Sequence, residues 1–226
     1  VENCTVNRVT GGGVDIYQIC LLNGVVAFAQ RSSFLDKYAE HIDKPWKMYI
    51  WRMKKTVEAL AEQDTDLLQI ISNRCRQVGI APHASLRVND FHHSFNAPLA
   101  QKGQFTADGR KGTLTQGCKF LSPYYFPDLR CPWTEQVRNM WLPGGTFDFS
   151  YDEIRAHKLK IIQELFDNYD IDGLELDFTR IPPFFRAEEK DAGRNLMTEW
   201  IENVRSIVDK SAKSRGCSIS LTARFE

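Results

Sequence analysis

The chain has 226 residues, of which 42% are apolar, which suits one large soluble domain with a substantial core. Its 29 Lys and Arg residues balance its 29 Asp and Glu residues, so the formal net charge is zero. This balance argues against a nucleic-acid or a membrane partner, because both favour a basic excess. No apolar run approaches the roughly 20 residues that span a bilayer.

The N-terminus and the cysteines bear on processing and on metal binding. Residues 1–4 read VENC, with neither a start methionine nor the regions of a signal peptide, so we expect residue 1 to be a processed end. The six cysteines have no paired CxxC spacing, which argues against a zinc site. Cys118 and Cys131 could be bridged if the protein is exported. We expect Cys75 and Cys217 to be buried free thiols.

The predicted elements alternate between amphipathic helices and short strands. Gly79 and Gly216 follow two of the helices, at the position where a left-handed residue ends a helix. Ser150 and Glu153 have the spacing of a capping box that opens the middle helix. In chain order, the predicted elements are a strand at 13–17, a helix at 66–78, a strand at 80–88, a helix from Ser150, a strand at 174–178, a helix at 191–214 and a strand at 217–225.

This alternation predicts parallel strands, and the polar residues within the strands favour a closed barrel over an open sheet. Strands of a doubly covered open sheet are almost continuously apolar. Here Leu174 and Leu176 alternate with Glu175 and Asp177, which indicates one apolar and one polar face. We therefore predict that residues 1–226 are part of one (β/α)8 barrel domain. Closure takes eight strands, so we expect the C-terminal part of the barrel to be missing.

A long aromatic-rich segment at 94–145 separates the second strand from the next helix. It far exceeds the usual length of a loop between a strand and a helix. Loops at the carboxyl ends of barrel strands line substrate clefts, so we predict that this segment forms a cleft wall, with a structural insertion as the alternative. The aromatic residues that could stack on a sugar are Tyr124, Tyr125, Trp133 and Trp141.

Glu175 and Asp177 are the candidate catalytic residues. Strand alternation places both carboxylates on one face, and their repulsion raises at least one pKa, which suits general acid catalysis. Glycoside cleavage uses such carboxyl groups as acid with nucleophile, or as acid with base. The structural alternative is a buried ion network with Arg87 and Arg224. Arg180, just beyond the strand, could pair with either carboxylate or bind an acidic group of the substrate.

A second polar group follows the preceding predicted strand. Arg87 and Asn89 could bind sugar hydroxyls, and His92 or His93 could hydrogen-bond to a substrate or to a carboxylate. These histidines with Asp90 also admit a metal site, although adjacent side chains of extended backbone diverge. We therefore predict no metal and no other cofactor, and keep a metal-dependent hydrolase as an alternative.

Three segments of the chain resemble a known family. The runs ASLRVNDFHH, FDFSYDEIRAHKLKIIQELFDNYDIDGLELDFTRIPPFF and SISLTARF resemble, in order, the glycosyl hydrolase-like family-10-type barrel proteins of bacteria. The resemblance implies a (β/α)8 barrel that acts on polysaccharide. We expect such a protein to be secreted or periplasmic, while its oligomeric state stays open.

The strand at 172–179 also resembles the chitinase-type pattern DGxDxDxE. Glu175 stands at the first inner Asp of that pattern, and Thr179 stands at its acidic Glu, so the chitinase mechanism does not transfer. The predicted function is a glycoside hydrolase with Asp177 as catalytic carboxylate and Glu175 either as its partner or as a group that tunes its pKa. Because Thr179 replaces the acid, a carbohydrate-binding barrel without catalysis is the main alternative.

Overall fold

The structure is a computed structural model, and it describes residues 6–21, 26–37, 48–89, 147–179, 184–185 and 189–225. Its centre is a four-stranded parallel sheet, flanked by helices in an α/β arrangement. The predicted cleft wall at 94–145 lies outside the described residues, as do Cys118 and Cys131. The division into a single domain over 1–226 stays a prediction.

The sheet contains its four strands in chain order. They are β1 (Ile16–Cys20), β4 (Ala81–Arg87), β5 (Gly173–Asp177) and β6 (Ser220–Arg224), and every neighbouring pair is parallel. Two further short strands, β2 (Val26–Ala27) and β3 (Asp36–Lys37), form a separate parallel pair. Because parallel strands need a crossover between them, the helices lie between consecutive strands of the chain.

Four α-helices are described, preceded by a short 3-10 turn at Val6–Arg8. They are α1 (Met48–Glu62), α2 (Leu67–Gln77), α3 (Asp152–Asn168) and α4 (Lys190–Arg215). Asp66 caps α2, since its side chain accepts a 2.8 Å hydrogen bond from the backbone N–H of Gln69. Gly79 and Gly216 have φ angles of +75° and +65°, so both predicted helix stops are confirmed as left-handed residues.

Several predicted boundaries are wrong. The first strand is Ile16–Cys20, not 13–17. The capping box of Ser150 and Glu153 does not form: α3 begins at Asp152, its N-cap is Tyr151, and no side chain caps it. Instead, the backbone N–H of Ser150 donates to Asp148. Cys75 is a buried free thiol as predicted, whereas Cys217 is exposed.

The sheet has an apolar face that packs against the helices. Ile19, Ala84, Leu86, Leu174 and Leu176 are almost completely buried and share one hydrophobic cluster with residues of α2, α3 and α4. Burying each large side chain of this kind stabilises the fold by about 1.5–3 kcal/mol. Since the alternate residues of these strands point the other way, the packing leaves the polar side chains on the opposite face.

Trp200 joins the two later helices. It is 1% exposed, and its indole N–H donates a 3.2 Å hydrogen bond to the backbone carbonyl of Arg155. None of the helices within the described ranges is long and apolar enough to span a membrane.

Candidate functional site

On the polar face of the sheet, side chains from β4, β5 and β6 lie side by side in two rows. Ser85 and Thr222 stand on either side of Glu175 in the strand register. Arg87 and Arg224 stand in the same way on either side of Asp177, one row nearer the carboxyl ends of the strands. In parallel strands, register partners point to the same face, so the alternation predicted from the sequence places both carboxylates in one polar cluster.

The Glu175 carboxylate is buried and surrounded by donors. Its Oε1 accepts hydrogen bonds from Ser85 Oγ and from Arg224 Nη2, both at 2.7 Å. Its Oε2 accepts from Gln18 Nε2 at 2.7 Å and from Arg224 Nη2 at 3.0 Å. A carboxylate has about four acceptor positions, so these four contacts occupy its capacity. Glu175 is therefore held in one orientation, with no vacant acceptor position for a substrate.

The Asp177 carboxylate is buried as well but differs in its contacts. Its Oδ1 accepts from the hydroxyl of Thr179 at 2.6 Å and from the backbone N–H of Thr179 at 3.0 Å. For Oδ2, the described residues offer no hydrogen bond, and the Arg224 guanidinium is 4.0 Å away. Thr179 thus orients Asp177 and leaves one carboxylate oxygen available for chemistry.

Arg224 is the cation between the two carboxylates. Its side chain is 48% exposed, and it also donates to Gln18 Oε1 at 3.1 Å. The shared cation offsets the repulsion that the sequence predicted between Glu175 and Asp177. Because solvent screens a half-exposed guanidinium, the pairing adds modestly to stability; its larger effect is to present positive charge beside Asp177.

His83 lies on the same face, directly over Gly173, its register partner in β5. A Cβ built on Gly173 would lie 2.5 Å from two atoms of the imidazole ring, so only glycine leaves room for this ring. Burial lowers the pKa of His83, and the opposing effect of Asp172 and Glu175 is smaller. The histidine is therefore a neutral group packed beneath the carboxylate cluster.

Asn89, which lies just after β4, is hydrogen-bonded to the backbone of Phe147. Its Nδ2 donates to the carbonyl of Phe147 at 3.0 Å, and its Oδ1 accepts from the N–H of Phe147 at 3.1 Å. Asn89 is fully buried, so its observed contact anchors the chain on both sides of residues 90–146. Its predicted role in sugar binding stays a prediction.

The other predicted site residues fall into two groups. Arg87 is half-buried at the end of β4. Outside the described residues lie Asp90, His92, His93, Arg180, Tyr124, Tyr125, Trp133 and Trp141. Within the described ranges, no group of three His, Cys, Asp or Glu residues could hold a metal ion.

Sequence reasoning did not assign Ser85, His83 or Gln18 to the site. Ser85 and His83 lie on the predicted polar face of their strand and could have been found by extending the alternation from Arg87. Gln18 could not, because the first strand was predicted to end at Tyr17. The cluster therefore offers guanidinium donors to hydroxyl groups through Arg224 and one carboxylate oxygen at Asp177.

Comparisons with known proteins find the following similarities. No model of a known protein family matches the chain. A protein of Niallia circulans described as an S-layer-related protein is 27% identical over 146 residues, which are 58% of this chain and 8% of that protein. The galactosidase domain of an alpha-galactosidase-sucrose kinase superposes with a TM-score of 0.45 at 12% identity, over 99% of this chain and 24% of that one. The chain thus spans a small part of each.

Proposed function

We propose that the chain is part of a (β/α)8 barrel that hydrolyses glycosidic bonds in a polysaccharide or oligosaccharide. The barrel is supported by four parallel strands in chain order, with helices packed on one face and polar side chains on the other. In barrel enzymes the catalytic groups lie at the carboxyl ends of the strands, where Asp177 ends β5.

The Oδ2 atom of Asp177 is the observation that carries the proposal. Among the two carboxylates of the cluster, only Asp177 has an oxygen without a hydrogen bond from a described residue. Thr179 fixes the other oxygen, so Asp177 is oriented as a general acid, base or nucleophile must be. Glu175, with its donors in place, positions Arg224 beside Asp177. Hydrolysis of a glycoside uses two carboxyl groups. Because the acceptor positions of Glu175 are occupied, we assign the second catalytic carboxyl group to another residue.

Substrate binding is assigned to the groups around Asp177. Arg224 and Arg87 offer guanidinium donors to sugar hydroxyls, and the predicted binding residues of 89–93, Arg180 and the aromatic residues of 94–145 complete the proposed cleft. A secreted or periplasmic location remains part of the proposal, and the description of the matching protein as S-layer-related is in keeping with it.

A second candidate function is carbohydrate binding without catalysis. It is favoured by the same contacts: Thr179 carries a hydroxyl where the chitinase-type pattern has its acid, and Glu175 is fully engaged. A barrel with one available carboxylate oxygen could hold a sugar without cleaving it.

Reducing-end release on a panel of polysaccharides tests the proposal. Asp177→Asn keeps an oxygen for Thr179 and removes the charge, so folding should persist while the rate falls by about 10²–10⁴-fold. Asp191→Asn is the matched control, because Asp191 lies in the exposed first turn of α4, and its activity should equal that of the wild type. Asp177→Asn with near wild-type turnover would refute the assignment. Binding without release, in both wild type and variant, would favour the second candidate.

A further inference from the structure

Gln18 contacts both members of the ion pair between Glu175 and Arg224. Its Nε2 donates to Glu175 Oε2 at 2.7 Å, and its Oε1 accepts from Arg224 Nη2 at 3.1 Å. A carboxylate only accepts hydrogen bonds and a guanidinium only donates them, whereas one amide can serve both at once. A carboxylate in place of the amide would repel Glu175, and a hydrocarbon chain would bind neither partner.

These contacts cross the whole sheet. β1 and β6 are its outer strands, separated by β4 and β5, and neighbouring strands lie about 4.8 Å apart. Through His83 and Gly173, Gln18 is in register with Ser220, which precedes Arg224 by one strand length. On a flat sheet the Cα atoms of Gln18 and Arg224 would be roughly 19 Å apart, too far for their side chains to meet. The sheet therefore curves toward its polar face.

The acceptors around Arg224 Nη2 fix the plane of the guanidinium. Nη2 donates to Glu175 at 2.7 and 3.0 Å and to Gln18 at 3.1 Å. The guanidinium is planar, and its N–H groups have fixed directions. An acceptor on one side alone would let the group turn about that hydrogen bond, whereas acceptors in two directions define the plane. Gln18 supplies the second direction, so it determines where Nη1 points.

Nη1 faces the other carboxylate of the cluster. It lies 4.0 Å from Asp177 Oδ2, which is longer than a hydrogen bond of about 2.7–3.2 Å. A separation of this size lets one oxygen atom contact both groups at about 2.8 Å. A hydroxyl group or a water molecule in that position would donate to Oδ2 and accept from Nη1.

We propose that Gln18 is a positioning residue, which sets the plane of the Arg224 guanidinium so that Arg224 and Asp177 hold one oxygen atom between them. The proposal rests on the proposed catalytic role of Asp177. An acid or base catalyst lies within about 2.6–3.2 Å of the oxygen whose proton it transfers. With Nη1 at the same oxygen, Arg224 stabilises negative charge that develops there.

Side-chain NMR of Arg224 tests the positioning without a substrate. Gln18→Met keeps an unbranched chain of similar length and removes the amide, and it should fold because Gln18 is exposed. Arg224→Lys assigns the guanidinium signals by their loss. In the wild type we expect separate nitrogen signals for Nη1 and Nη2, because the anchored guanidinium turns slowly about its Nε–Cζ bond. In Gln18→Met we expect the two signals to merge.

Turnover tests whether this geometry serves catalysis. On a polysaccharide from which the wild type releases reducing ends, Gln18→Met should lower kcat about tenfold, the value of one hydrogen bond to a charged group, and leave KM nearly unchanged. Gln77→Met is the matched control. Gln77 also accepts from an arginine, Arg74, at 3.0 Å, but at the exposed end of α2, so its loss should change neither the Arg224 signals nor kcat.

Separate Arg224 signals in Gln18→Met, or merged signals in the wild type, would overturn the proposal. An unchanged kcat in Gln18→Met despite merged signals would overturn it as well, as would a loss confined to KM. A wild type that releases no reducing ends would instead refute the proposed function, and the NMR comparison would still decide whether Gln18 fixes Arg224.

Discussion

The contact between Gly173 and His83 makes a quantitative prediction for the substitution Gly173→Ala. The new Cβ would lie 2.5 Å from Nδ1 and Cε1 of the imidazole and 2.7 Å from Cγ, whereas favourable carbon contacts lie near 3.5–4.0 Å. The ring would have to move by about 1 Å, and His83 is 3% exposed, so its neighbours must move as well. Overpacking of this kind costs about 1–3 kcal/mol.

Alanine also restricts the unfolded chain more than glycine does, which stabilises a strand by about 0.5–1 kcal/mol. This gain offsets part of the cost of overpacking. We therefore expect Gly173→Ala to lower the free energy of unfolding by roughly 1–2 kcal/mol. In a His83→Ala background the ring is absent, so the same substitution should be neutral or slightly stabilising. The coupling between the two positions should then be about 2 kcal/mol.

Urea unfolding of the wild type, both single variants and the double variant measures this coupling from the shift in midpoint at constant slope. Gly79→Ala is the matched control: its Cβ would meet nothing within 4 Å, but its φ of +75° costs alanine about 1–2 kcal/mol. That cost should be the same with and without His83. If Gly173→Ala is equally destabilising in both backgrounds, the imidazole does not occupy the position above Gly173.

Two further predictions concern pH. Burial lowers the pKa of His83, and Asp172 and Glu175 oppose this effect only in part, so the folded chain binds fewer protons than the unfolded chain. The contribution of His83 to the free energy of unfolding should therefore be fully present above the unfolded pKa of about 6.5 and be lost as the pH falls below it. Urea titrations of His83→Gln should lack this pH dependence. Burial, aided by the hydrogen bond to Asp66, raises the pKa of Tyr169. The contribution of Tyr169 to the free energy of unfolding should therefore be fully present below the unfolded pKa of about 10 and be lost as the pH rises above it. Tyr169→Phe should remove this alkaline loss in the same assay and cost roughly 1–2 kcal/mol at neutral pH, because it removes the hydrogen bond to Asp66 and the hydroxyl that accepts from the Arg31 N–H.

The fold follows from the sequence where local rules and packing agree. Gly79 and Gly216 end helices because each occupies a left-handed conformation, and the alternation of β5 is visible in its residues. The prediction failed where packing decides the outcome. The first strand was placed three residues early, at 13–17, whereas the residue of the observed strand that enters the core is Ile19. The α1 helix was not predicted, because no stop residue of the Gly79 kind follows it.

The sequence predicts which side chains of the candidate site share one face of the sheet, but not which of them are hydrogen-bonded to one another. Glu175 and Asp177 follow from alternation alone, and Arg224 was already the expected partner in the structural alternative. Which carboxylate is fully engaged depends on the strand register, which places Ser85 beside Glu175. Register is set by tertiary pairing, so a single strand gives no indication that Asp177 retains the available oxygen.

The pairing of Asn89 with Phe147 has an evolutionary consequence. One side chain and one peptide group join residue 89, just after β4, to residue 147, while Glu175 and Asp177 lie on β5 between β4 and β6. Because this pairing does not involve Asp177, we expect changes of length or sequence within 90–146 to leave Asp177 in place. If the proposed roles hold, natural selection can alter substrate recognition through that segment and leave the proposed catalytic carboxylate of Asp177 untouched.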